Sequence, residues 1–201
     1  MASINLKLIQ EIDLLWEPVY PYLARQVHER YDRRDGNILE IGPFCGVIFS
    51  LQEKNIGSSF SIATFPTGMG DFFRGETKKR NLEGSIEVIE TDPFLTGIEE
   101  NKIDLAVFRG AFFFPSLFEV SFPGIYRVLK KDGMAFVGGG FGKFTPDTVM
   151  RDIGKRSRDL NLQIGKVEIS EEKVWQDIKN SHVKGKFEVI TEGGLWVLIE
   201  K

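Results

Sequence analysis

The sequence holds one cysteine, Cys45, and two histidines, His28 and His182. One thiol cannot close an internal bridge, and two imidazoles cannot build a histidine-rich zinc site. No metal is therefore expected, and a reducing, cytoplasmic setting fits. No apolar run reaches bilayer-spanning length. Glu11 and Asp13 follow soon after the first residues, where a secretory signal needs an uninterrupted apolar core, so no membrane partner is expected. Excess charge is missing too. The 26 Lys and Arg against 29 Asp and Glu leave a net charge of −3, which supplies no global attraction for polyphosphate and disfavours nucleic acid. Two local basic sets, Lys78-Lys79-Arg80 and Arg151, Lys155 and Arg158 on one side of a helix, read as solvated faces. Repeats, linkers and low-complexity stretches are also lacking. What is there is 201 residues, 42% hydrophobic and 27% charged, the composition of a globular chain. A single domain over 1–201 can bury roughly 70% of its unfolded surface without a staple. Unusual are 17 Phe and 21 Gly. The first implies a bulky apolar core or pocket, the second many turns or close backbone approaches.

Ile4, Leu8, Ile12, Leu15, Val19, Leu23 and Val27 recur at helical spacing. Pro18 and Pro21 interrupt the pattern, so residues 1–35 are read as helices with a break near Glu17-Pro18 and a second helix from Pro21 to Tyr31. The α/β core, 36–201, then alternates. Strands are expected at Asn37–Ile41, Ser59–Thr64, Ile86–Glu90, Ile103–Arg109 and Met134–Gly138. Helices are expected at Val47–Lys54, Thr67–Arg80, Ser116–Leu129 with a break at Pro123, and from a Thr145 or Asp147 cap to Asn161. Glu171–Val183 reads as an inserted helix. Lys186–Thr191 and Leu195–Glu200, joined by Glu192-Gly193-Gly194, read as a hairpin. The expected fold is a doubly wound α/β structure: a mostly parallel, seven-stranded, Rossmann-like sheet with a C-terminal antiparallel hairpin and helices on both faces.

In such a sheet a ligand sits outside the carboxyl ends of the strands where their order reverses. The turn after the first strand, Gly42-Pro43-Phe44-Cys45-Gly46, is the approach to that place. Its glycines either admit a ligand or serve the steric needs of a tight strand-to-helix turn.

With the later segments in order, the chain resembles the class I S-adenosylmethionine-dependent methyltransferases. Ile38 to Gly46 is similar to that family's first motif, an acidic residue followed by glycines. Thr91-Asp92-Pro93 is similar to its Gly-Asp-Ala segment, and Asp104 follows at the family's separation and opens the fourth strand. Arg127 to Gly133 looks like its Arg-Val-Leu-Lys-Pro-Gly-Gly turn, and the hairpin is its closing feature. The resemblance runs from Trp16 to Lys201. It implies S-adenosylmethionine as cofactor, contacted by Glu40, Gly42, Pro43, Gly46, Thr64, Phe65, Asp92, Pro93 and Arg109. Within that set, Glu40 bonds inside the first loop or to the amino end of the methionine moiety, Phe65 stacks on adenine, and Asp92 accepts from the adenine amino group. Read from the residues alone, the alternative for Glu40 is a loop-bracing carboxylate and for Asp92 an exposed turn residue before proline.

Three positions depart from the family pattern. Phe44 replaces the middle glycine, Thr64 stands where an acidic residue takes both ribose hydroxyls, and Pro93 has no N–H to donate to adenine. An uncharged hydroxyl bonds more weakly than a bidentate carboxylate, so affinity is expected to be micromolar or poorer, and Thr64→Asp is expected to tighten it.

Arg109-Gly110-Ala111-Phe112-Phe113-Phe114-Pro115 follows the fourth strand, where the resemblance places residues between cofactor and substrate. It lacks the Asn/Asp-Pro-Pro-Tyr pattern of enzymes that methylate base nitrogens. Arg109, Phe112, Phe113 and Phe114 are the substrate-binding candidates. The rings, with Phe118 and Phe122, either wall an apolar pocket or pack the next helix onto the sheet, and Arg109 either binds a substrate carboxylate or braces a loop. No catalytic base is identified. The reading is methyl transfer to a small, partly apolar molecule; the alternative is a noncatalytic, methyltransferase-like ligand-binding or protein-interaction module. A nicotinamide-dependent oxidoreductase would need an acid or an Arg after the second strand, and Thr64-Phe65-Pro66 supplies neither. The oligomeric state is left open.

Overall fold

In the computed structural model, which describes residues 5–201, the chain opens on α1 (Leu6–Leu15). Asn5 caps it, its side-chain oxygen accepting from the Leu8 N–H at 3.2 Å. Ile4, the first member of the apolar pattern, lies outside the described residues. A single 3-10 turn at Glu17–Val19, carrying Pro18, separates α1 from α2 (Tyr20–Tyr31), so the expected break falls where proline removes a ladder donor.

The core then alternates as β1 (Asn37–Ile41), α3 (Val47–Glu53), β2 (Ser59–Thr64), α4 (Met69–Lys79), β3 (Ile86–Glu90) and β4 (Ile103–Arg109). It continues through α5 (Phe122–Val128), β5 (Leu129–Gly139), α6 (Asp147–Gln163), α7 (Glu171–Ser181), β6 (Lys186–Ile190) and β7 (Leu195–Glu200). Two expectations change. Pro123 does not break a helix but starts one: it sits in the first turn of α5, where its missing N–H costs nothing, and the Ser121 hydroxyl accepts from the Gly124 N–H at 3.0 Å. Residues 110–121 are consequently a loop. β5 begins five residues earlier than expected, at Leu129, with a register shift against β4 between Ile103 and Leu105.

The seven strands are ordered β3-β2-β1-β4-β5-β7-β6. β1 to β5 pair in parallel, and β7 runs antiparallel to both β5 and β6. β4, beside β1 near the centre, is buried at every residue, as a strand covered on both faces must be. Trp196 of β7 stacks on Phe136 of β5 with centroids 4.6 Å apart. At the amino ends of the strands, Asp104 accepts from the Asn37 N–H at 2.8 Å and from the Lys130 ammonium at 2.6 Å, tying β1, β4 and β5 together. The order reverses between β1 and β4, so the carboxyl ends of these two strands are the place the topology reserves for a ligand. Among the described residues no helix is long and apolar enough to cross a membrane.

Candidate functional site

The β1–α3 turn is held from inside. Gly42, at φ +103°, adopts a conformation closed to most side chains. Its N–H donates to the Ala63 carbonyl at 2.9 Å, and its own carbonyl accepts from the Thr64 hydroxyl and the Cys45 thiol, each at 3.0 Å. Glu40 is buried beneath, its two carboxylate oxygens accepting from the Val47 N–H (3.2 Å) and the Ile48 N–H (2.7 Å) at the start of α3. Burial pushes its carboxyl up to about 8, against the pull of those N–H groups. Both oxygens of Glu40 are therefore engaged in bracing the turn.

A pH dependence follows. The folded chain keeps a proton on Glu40 that the unfolded chain releases above about 4.5, so stability is greatest at the acid end of this window and falls as pH rises through about 8. Asp13, raised to about 6, adds the same sign lower down. Each pKa unit corresponds to about 1.4 kcal/mol. Urea unfolding is expected to show about 2 kcal/mol or more lost between pH 5.5 and 8.5. Glu40→Gln, whose amide resembles the protonated carboxyl, is expected to flatten that slope. An equal slope in parent and variant would show that Glu40 is ionised throughout.

Side chains of the protein fill the space over the turn. A Cβ added to Gly46 would lie 1.8 Å from the Tyr20 ring, and one on Gly42 would lie 2.6 Å from the Phe108 ring. Phe108 and Phe65, at the ends of β4 and β2, meet edge to face at 5.9 Å. Phe118 reaches back from the β4–α5 loop to cover both, at 5.3 and 5.4 Å. Thr64 and Phe44 are wholly buried, and Phe65 nearly so. Asp92 lies at the end of β3, one oxygen accepting from the N–H groups of Phe94 (2.9 Å) and Thr96 (3.2 Å) and the other from the Thr96 hydroxyl (2.6 Å). These bonds, the hydroxyl's first, hold its carboxyl below the usual range. Asp92 thus caps the turn that contains Pro93. The rings of Tyr20, Phe65, Phe108 and Phe118 thus pack over and beside the turn.

Beside the turn stands a buried constellation that sequence reasoning missed in two of its three members. Arg109, at the end of β4, donates from Nη2 to Asp13 Oδ1 at 3.2 Å and to Tyr20 Oη at 2.7 Å, and Tyr20 Oη donates to Asp13 Oδ1 at 2.6 Å. The guanidinium lies 5.0–5.1 Å from the centroids of Trp16, Tyr20 and Phe44. Burial raises Asp13 to about 6 although Arg109 and Tyr20 pull it back, and burial raises Tyr20 well above its ordinary value. One signal for Asp13 was present: it is a carboxylate inside the apolar stripe formed by Leu8, Ile9 and Ile12 of α1 and Trp16 at its C-cap. Nothing local pointed to Tyr20.

Next to Arg109 a cavity of about 550 Å³ opens at the carboxyl ends of β4 and β5 and the start of β7, between α1 and α6. Phe113 and Phe114 line it, as do Gly139 and Gly140 after β5. Phe44 of the glycine turn also lines it, packed on Phe114 at 5.1 Å. Phe112 does not line it; it is buried against Phe122 at 6.1 Å. Of the residues singled out from the sequence, the structure gathers Arg109, Phe113 and Phe114 around one cavity. It places Glu40, Gly42, Pro43, Gly46, Thr64 and Phe65 at the adjoining turn, and Asp92 and Pro93 at the end of β3. Among the described residues no group of three or more His, Cys, Asp or Glu is arranged to hold a metal ion.

No protein-family model matches the sequence, and no curated protein matches it. Solved structures do. A protein from Methanococcus maripaludis, described as a candidate S-adenosyl-L-methionine-dependent methyltransferase, superposes with TM-score 0.81 at 26% identity, over 100% of this chain and 95% of that one. A SAM-dependent methyltransferase from Aquifex aeolicus matches at TM-score 0.66 and 13% identity, with 98% of each chain covered. Geranyl diphosphate C-methyltransferase from Streptomyces coelicolor A3(2), solved with Mg2+, geranyl diphosphate and S-adenosyl-L-homocysteine, matches at TM-score 0.57 and 10% identity over 89% of this chain and 77% of that one.

Proposed function

We propose that the chain, which has the class I S-adenosylmethionine-dependent methyltransferase fold with the seven-strand order and the terminal antiparallel hairpin in place, binds S-adenosylmethionine outside the carboxyl ends of β1 and β4 and transfers a methyl group to a small, partly apolar molecule. The observation that carries the reading is positional. The glycine turn and the cavity of about 550 Å³ adjoin at the one point where the strand order reverses. Cofactor contact is assigned to Gly42, Pro43, Gly46, Phe65, Asp92, Pro93 and Arg109, with Glu40 and Thr64 holding the turn. The acceptor is assigned to the cavity wall formed by Arg109, Phe113 and Phe114.

The closed packing sets a condition on this reading: Phe118, and the Tyr20 ring over Gly46, must move before a nucleoside can enter. Phe118 stands on a loop without regular structure, between Arg109 and Phe122, where such movement disturbs no strand pairing. The same filled crevice favours the second reading, a noncatalytic module that keeps the fold for another ligand. Calorimetric titration with S-adenosylmethionine, S-adenosylhomocysteine, NAD and NADP separates them. The proposal expects heat of binding from the first two only. Silence from both at millimolar concentration leaves the noncatalytic module.

A further inference from the structure

A helix packed against the rest of a protein ordinarily presents apolar residues inward. α6 does otherwise. Ile153 is buried as expected, but the next two inward positions, one and two turns on, are Ser157 and Asn161. They are 2% and 5% exposed, both line the cavity, and neither side chain has a hydrogen-bond partner among the described residues. Arg158, exposed at the rim on α6, and Lys166, just beyond its end, line the cavity without an ion-pair partner among the described residues. Lys166 holds its ammonium 5.7 Å from the centre of the Phe113 ring. Across from these groups the wall is aromatic: Trp16 stacked on Phe141 at 4.6 Å, with Phe113 and Phe114. Glu168 is the one carboxylate lining the cavity, because Asp13 lies behind Arg109 and is paired to it.

From this arrangement we infer that the cavity binds a small organic anion: a flat apolar body against the rings, with its carboxylate-like group toward Ser157, Asn161 and the two free cations. The hydroxyl and the amide supply neutral donors to a desolvated anion, and Arg158 and Lys166 supply the charge at the mouth. A neutral ligand of the same shape leaves both cations unused. An ammonium ligand meets more positive than negative charge. The volume falls within the roughly 300–1,000 Å³ of small-molecule sites. Only the naming of this anion as the methyl acceptor rests on the proposed function; its binding does not.

The test uses three isosteric probes on the whole chain without cofactor: 2-naphthoate, 2-naphthamide and 2-naphthylmethylammonium, titrated by calorimetry. The parent is expected to bind naphthoate at least tenfold more tightly than the amide and the ammonium compound more weakly still. In Ser157→Ala/Asn161→Leu the naphthoate affinity is expected to fall at least tenfold while thermal unfolding stays cooperative, because the changes remove donors that face the cavity and break no bond inside the protein. Arg158→Ala/Lys166→Ala, made at the rim, is expected to abolish the preference for naphthoate over naphthamide without a change in melting temperature. Equal affinity for naphthoate and naphthamide in the parent, no binding of naphthoate at millimolar concentration, or a folded α6 double variant that binds naphthoate as the parent does would each overturn the inference. Naphthoate binding together with failure of S-adenosylmethionine to bind upholds the site and removes only its role as acceptor site.

Discussion

Arg109→Met is expected to lower the unfolding free energy by about 3–5 kcal/mol at pH 7.5, the range for removing one partner of a buried ion pair. The side chains of Arg109 and Asp13 are 6% and 4% exposed, so no water compensates the carboxylate left behind. Methionine keeps much of the length of the arginine stem, which confines the loss to the charge and its two donated bonds. The remedy is to remove the orphaned charge: Arg109→Met/Asp13→Asn is expected to recover at least half of the loss. Lower pH is expected to act similarly, because without Arg109 the Asp13 carboxyl, already raised to about 6 by burial, takes up a proton more readily. Urea unfolding of the single and double variants at pH 5 and 7.5 reads all of this. A loss below about 1 kcal/mol for Arg109→Met would place the pair in the class of solvent-screened surface bridges.

Thr64→Asp is expected to cost at least about 3 kcal/mol and to gain no affinity for S-adenosylhomocysteine. From the sequence, an acid at this position promised tighter binding. The structure reverses that expectation, because the Thr64 hydroxyl is a donor, wholly buried, and aimed at the Gly42 carbonyl at 3.0 Å. A carboxylate there has nothing to donate and faces a carbonyl oxygen of like partial charge. Thr64→Ser keeps the donor and is expected to stay within about 1 kcal/mol of the parent. Thermal unfolding alongside a titration with S-adenosylhomocysteine decides the matter. A stable Thr64→Asp protein with increased affinity would show that this side chain reaches a ligand after all.

These two residues mark the boundary of what the chain discloses before it folds. Runs such as Ile38-Leu39-Glu40-Ile41 and Ile103–Arg109, each closed by glycine, declare buried parallel strands, and Glu192-Gly193-Gly194 between two apolar runs declares the hairpin. Those signals are local, and the alternation of strand and helix leaves few ways to arrange the sheet. The side-chain partnerships around the crevice are not local. Arg109 meets Asp13 and Tyr20 across 96 and 89 positions, a distance over which no periodicity speaks. Pro123 illustrates a local signal with two meanings, since proline ends a helix from within and begins one at its first turn. On α6 the exposed basic face of Arg151, Lys155 and Arg158 drew notice in the sequence. The inward Ser157 and Asn161 become conspicuous only once the cavity beside them is visible.

The nucleoside crevice proposed between the ends of β1 and β4 would be closed by the chain's own rings, Phe118 foremost. When the competent state is a minor one, apparent affinity falls by its fractional population, so a crevice open roughly one part in a hundred binds about a hundredfold more weakly than its open form. Phe118→Ala removes the ring that covers Phe65 and Phe108 without touching the glycine turn. Calorimetric titration of S-adenosylhomocysteine into the parent and into folded Phe118→Ala is the direct measurement. The account predicts at least tenfold tighter binding by the variant, and equal or weaker binding by the variant would contradict it.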